Sequence, residues 1–151
     1  MSTRAVLLKS LGSTSGDLRR LVKGRSVAAL AQRPQNGNWS AAECLSHLHD
    51  IEGRYLERLR RVASEENPFL PGIHPDESAH NALESADAIL AGFESARRTT
   101  LEFLEALTPG DWQRPAVRKD GSPATMRSLV QLLAHHDIEH TEQIVKALAG
   151  D

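Results

Sequence analysis

The stretch "WSAAECLSHLHDIEGRYLERLRRVAS", Trp39 to Ser64, constrains the fold more than any other part of the chain. It opens on a capping box, in which the Ser40 hydroxyl and the Glu43 side chain satisfy each other's backbone N–H groups. Behind the box, Ala41, Cys44, Leu45, Leu48, Ile51, Tyr55, Leu59 and Val62 recur at helical spacing. A long amphipathic helix is marginal by itself and must bury its apolar stripe on a partner. The sequence offers no sheet for that purpose, because no β-branched segment alternates cleanly.

Other helices are therefore the expected partners. One is predicted over about Ser13 to Lys23, with a possible extension through Ala31 and with Ser13, Thr14 and Ser15 as possible caps. Another is predicted from near Ser78 to about Leu107, carrying Leu83, Ile89, Leu90, Phe93, Leu101, Leu104 and Leu107. The last runs from near Thr125 to just before Gly150. Gly and Pro fall between these segments, at "RPQNGNW", "NPFLPGIHPDES", "TPGDWQRP" and "RKDGSPAT". Three long helices and a shorter one give an all-α four-helix bundle, read as one domain over residues 1–151. A chain of 151 residues can bury a core without disulfides or structural metal.

Charge and composition exclude several roles. A net charge of -2 and 4% aromatic residues leave neither a basic footprint nor a stacking platform for nucleic acid. No run approaches the roughly 20 apolar residues of a membrane span, and the N-terminus lacks signal-peptide features. Cys44 is the only cysteine, so no internal disulfide forms, and a cytoplasmic setting is expected. Cys44 itself reads as a small core residue.

Bundles build their sites from polar side chains that face inward between helices. The segment "LAHHDIEHTEQI", Leu133 to Ile144, is the richest source of them. At about 100° per residue, with Leu129 set to zero, His136 falls at about -20° and His140 at about +20°. Gln143 lies beside them, His135 points outward, and Asp137 and Glu139 sit on the flanks at about ±80°. Two imidazoles at i and i+4 can offer nitrogens to one transition metal. The alternative is a pair of core histidines, which would need two separate polar partners.

A third ligand could come from the Trp39–Ser64 helix, where His47 and His49 flank the stripe at about -100° and +100° relative to Leu48. Helical phase leaves both open. Glu43, Asp50 and Glu139 are the candidate catalytic carboxylates, as bases or as groups that orient a ligand histidine. His74 and His80 read as surface loop residues, and Trp39 and Trp112 as plugs closing the bundle ends. "HDIEH" has the histidine spacing of H-E-x-x-H, but with Asp after the first His and Glu one place before the second, so a metalloprotease reading fails at the general base. No Gly-rich phosphate loop or G-x-S-x-G elbow is present.

Taken in order, W-S-x-x-E-x-x-x-H (Trp39 to His47), D-W-x-R (Asp111 to Arg114) and H-x-x-x-H-x-x-Q (His136 to Gln143) resemble the DinB-like family. That superfamily of metal-dependent four-helix proteins includes bacillithiol transferases and mycothiol-dependent maleylpyruvate isomerases. The resemblance covers most of the chain. It implies an up-up-down-down bundle, frequent homodimers, and a divalent metal, nickel or zinc, held by His47, His136 and His140. It thereby favours His47 over His49. It also implies a metal-dependent hydrolase or a thiol-dependent transferase acting on a small molecule or a low-molecular-weight thiol. The competing expectation is a non-catalytic, dimeric stress or ligand-binding protein whose metal site is structural or vestigial.

Overall fold

A computed structural model describes residues 2–74 and 85–151. Four long helices, α1 (Thr3–Val22), α3 (Ala41–Ser64), α4 (Ala86–Glu105) and α5 (Met126–Ala149), form a four-helix bundle. A five-residue helix, α2 (Val27–Ala31), follows α1. A 3-10 turn (Asp111–Gln113) and a hairpin of β1 (Pro115–Val117) and β2 (Pro123–Thr125) connect α4 to α5.

The capping box forms as the sequence indicates. The Glu43 N–H donates to Ser40 Oγ, and the Ser40 N–H donates to Glu43 Oε1. Thr125 and Ser128 make a second reciprocal box at the start of α5, which ends on Gly150 in the left-handed conformation. The bounds of α3 and α5 follow the expected ones.

α1 differs from its expected bounds, starting ten residues before Ser13. Its cap is Ser2, and Leu7, Leu11, Thr14, Leu18 and Val22 form the buried face. Ser13 and Thr14 bond back to the Ser10 carbonyl inside the helix and do not cap it. The extension through Ala31 is a separate helix, because the chain turns at Gly24 (φ +74) and restarts at the Ser26 cap. α4 is capped by Ser85. The expected start near Ser78, with Leu83, lies outside the described residues. The hairpin is also a correction to the expectation of no strands. Its three-residue strands are too short to alternate legibly, and each opens on a proline at a position where the ladder needs no donor.

α1 packs on α4 and α5, and α3 packs on the same two helices. Long-range contacts fix the directions. Arg4 meets Glu105 and Arg19 meets Glu94, so α1 and α4 are antiparallel. His49 lies on Gly92 and Glu52 on Arg97, so α3 and α4 are parallel. Read around the bundle from α5 through α1 and α4 to α3, the order is up, up, down, down. In chain order it is up, down, down, up.

Two apolar clusters fill the bundle. One joins Leu7, Leu59, Leu104, Trp112, Met126 and Leu129 at the hairpin end, and the other joins Leu18, Leu45, Leu90, Phe93 and Ile144 at the opposite end. Each large side chain buried here contributes roughly 1.5–3 kcal/mol. Trp112 is buried beneath the Arg4 guanidinium and closes the hairpin end, as expected. Cys44 is fully buried, and desolvation pushes its thiol up to about 12.

At mid-bundle, Arg97 of α4 ties all four long helices together. It makes bidentate pairs with Glu52 of α3 (2.7 and 2.8 Å) and Asp137 of α5 (2.6 and 2.9 Å). It also donates to the Leu11 carbonyl of α1, while Thr14 donates to Asp137 at 2.7 Å. All four side chains are buried.

Candidate metal centre

The Arg97 network sets the rotation of α5, and the histidines follow from it. Asp137 occupies the centre of the buried face of α5, with Met126, Leu129, Val130, Leu133, Ala134 and Ile144 around it. The expectation that placed Asp137 on a flank and His136 and His140 mid-stripe is therefore corrected by about 70° of phase. The cause is Leu132, which counts as apolar in the sequence but is 47% exposed. His136 and His140 sit on the edge of the stripe that faces α3, and both are half-buried.

From α3, His47 meets them and His49 does not. His47 is buried, whereas His49 is exposed and lies over Gly92 of α4. One ring nitrogen from each of His47, His136 and His140 lies within 4.8 Å of the other two. The Nε2 atoms of His47 and His136 are 3.1 Å apart. Ring centroids are 4.5 Å apart for His47 and His140, and 4.3 Å for His136 and His140.

Hydrogen bonding and burial bear on how His140 and His136 present their ring nitrogens. His140 Nδ1 lies 2.8 Å from Gln143 Oε1. An amide oxygen only accepts, so this contact selects the tautomer that donates from Nδ1, the one whose Nε2 carries the lone pair. Desolvation, then the neighbouring His140 and His47 and finally Arg97, lower the His136 pKa to about 3. His136 is thus a neutral imidazole at ordinary pH, and its Nδ1 is buried without a hydrogen-bond partner.

A divalent ion fits this donor set. Nitrogens bound at 2.0–2.1 Å in tetrahedral geometry sit about 3.3 Å apart, close to the His47–His136 separation. A cation would take the place of the proton shared between the two Nε2 atoms.

The other candidates fall around this trio. Trp39 does not serve only as an end plug. It is half-buried, with its ring centroid 5.1 Å from that of His47, and it stacks at 6.5 Å on His140. Its place just before the capping box gave no sign of this, since the loop's entry angle decides it. Glu43, one turn before His47, is held by a bidentate pair with Arg33, which keeps its carboxyl below the usual range. Asp50, three residues after His47, pairs with Arg54. Glu139 lies on the exposed face of α5 beside His135. His74 is exposed, as expected, and His80 lies outside the described residues.

Sequence reasoning missed Glu52 and Arg97. Glu52 lies four residues beyond Leu48 and Arg97 four beyond Phe93, both at core spacing. Charged residues at such positions were the available signal.

Comparison with known proteins agrees with this architecture. The family model of the DinB superfamily matches residues 11–144. A protein of Geobacillus kaustophilus (strain HTA426), named "Putative metal-dependent hydrolase GK0616", is 29% identical over 136 residues, covering 85% of this chain and 74% of its own. The solved structure of YfiT from Bacillus subtilis superposes with a TM-score of 0.79 at 18% identity, over 97% of this chain and 87% of that one. YfiT is described as "a probable metal-dependent hydrolase with an unusual four-helix bundle topology". Among the described residues, no helix is long and apolar enough to cross a membrane.

Proposed function

The chain belongs to the DinB superfamily, and from that premise we propose a divalent-metal-dependent enzyme whose ligands are His47, His136 and His140. The observation that carries the reading is the convergence of three histidine nitrogens from two helices, with one tautomer fixed by Gln143. Nickel and zinc suit a set of neutral imidazoles. When bound, the ion would supply Lewis-acid polarisation of an electrophile and activation of a nucleophile. Three protein ligands leave coordination positions for water or substrate, the pattern of catalytic sites and not of closed structural ones.

The surrounding residues supply the rest. Gln143 orients His140, and Trp39 walls the centre against solvent. Glu43 and Asp50, within about one turn of His47 on either side, are the candidates to accept a proton from the nucleophile. The G. kaustophilus relative's name favours hydrolysis of a small molecule. Transfer of a low-molecular-weight thiol is the second reading, favoured by the same open, imidazole-only set. The homodimer and the cytoplasmic setting stay part of this proposal, and sedimentation analysis tests the dimer.

The decisive experiment is elemental analysis of protein purified without a His-tag. About one equivalent of divalent metal is expected, falling below about a tenth in His47→Ala, His136→Ala and His140→Ala. Wild type that binds no added zinc or nickel overturns the proposal. Ester and thiol–electrophile substrates presented to the loaded protein then separate hydrolysis from transfer.

A further inference from the structure

At the hairpin end, a cavity of about 450 Å³ opens between α3, the segment at 70–72 and the β1–β2 turn. Its apolar walls are Leu70, Pro71 and Leu132, and its polar ones are Arg58, Arg118 and Lys119, with Asp120 at the rim. Three cations in a chain of net charge -2 are a local excess. Among the described residues, no carboxylate lies within salt-bridge distance of any of the three. The Asp120 carboxylate is taken up by the Ser122 N–H and hydroxyl.

The cations are also held in place. Arg58 donates to the Pro71 carbonyl at 3.2 Å and lies 5.6 Å over the Tyr55 ring, yet its Nε is buried without a partner. Arg118 donates to the Pro123 carbonyl and to Ser128 Oγ. The Lys119 stem lies flat on Gly72, where a Cβ would come within 3.1 Å of it. Backbone bonds between Leu70 and Val117, and between Val117 and Pro68, join the two walls. Burial together with the like charge of Arg118 depresses the Arg58 pKa, a cost that a bound anion would remove.

We infer that this cavity binds an oxyanion, a carboxylate or phosphate group, at the far end of the molecule acted on at the histidine centre. Its link to that centre rests on the metal reading above. Arg58 lies eleven residues beyond His47 on α3, about 16 Å of helix, and within about 20° of the same azimuth. Leu132 lies one turn before His136 on α5. Cavity and histidines therefore share one side of the bundle, and an extended small molecule with an anionic end spans the two.

The test is a titration of the full, metal-loaded chain with inorganic phosphate, and separately with acetate, at constant ionic strength. The ¹⁵N-detected Nε–H signals of arginine are the readout. A saturable shift at Arg58, absent at exposed Arg60, is expected, weakened at least 10-fold in Arg118→Gln/Lys119→Gln. Should Arg118→Gln unfold the hairpin, Lys119→Gln, expected to weaken binding at least 3-fold at the Arg58 signal, carries the test. Tighter phosphate binding identifies a phosphorylated ligand, and equal or tighter acetate binding a carboxylate. Unsaturable shifts, or equal shifts at Arg60, overturn the proposal. His136→Ala should lose metal and keep the phosphate shift. Wild type that binds phosphate but no metal sinks the metal reading and the link while leaving the anion site. Metal binding with neither phosphate nor acetate binding sinks the anion site alone.

Discussion

Replacing Arg97 with methionine tests the tertiary argument most directly. The Arg97, Glu52 and Asp137 side chains are only 2%, 1% and 5% exposed. Methionine fills much of the arginine volume but strands two buried carboxylates without a counter-charge. Breaking a buried pair in this way costs about 3–5 kcal/mol. The loss of the guanidinium stacked 4.9 Å over Phe93 adds about 0.5–1 kcal/mol. Against a total stability of about 5–15 kcal/mol, this is a large fraction. Urea unfolding at pH 7 should show the loss as a lower midpoint with an unchanged slope. The control is Glu52→Leu/Arg97→Met/Asp137→Leu, which removes every buried charge and should recover most of the loss. An Arg97→Met variant within about 1 kcal/mol of the parent, or a triple variant less stable than the single one, would refute the assignment of the network as the clamp of the bundle.

Other expectations follow from particular residues. Because the folded pKa of His136 is lowered to about 3 from an ordinary 6.5, the metal-free fold should lose stability as pH falls through that window. His136's share of the slope should reach at most about 1.4 kcal/mol per pH unit, read as the difference between the parent and His136→Ala in urea titrations across pH. Gly53 lies mid-α3, and a Cβ added there would meet nothing within 4 Å, so Gly53→Ala should raise stability by about 0.5–1 kcal/mol in the same assay. Cys44, buried and with its thiol pushed up to about 12, should react with an aromatic disulfide reagent only after unfolding. Rapid labelling of the native protein would contradict that burial.

What the sequence determined by itself is the set of helices and the chemistry they carry. The Ser40–Glu43 box and the spacing from Ala41 to Val62 encode α3 locally, since caps and stripes depend only on neighbours in the chain. The i, i+4 pair of His136 and His140 and the following Gln143 were legible for the same reason. Tertiary structure decided whatever depends on where the neighbouring helices lie. Phase could not choose between His47 and His49, because a helix presents two flanks and only the position of α5 distinguishes them. It misplaced Asp137, because the centre of a buried face is set by the facing helices and not by the count of apolar residues, as exposed Leu132 shows. Glu52 and Arg97 sit at core positions that hydrophobic patterning discounts. Only the fold, by bringing both carboxylates onto one guanidinium, offsets the cost of burying them.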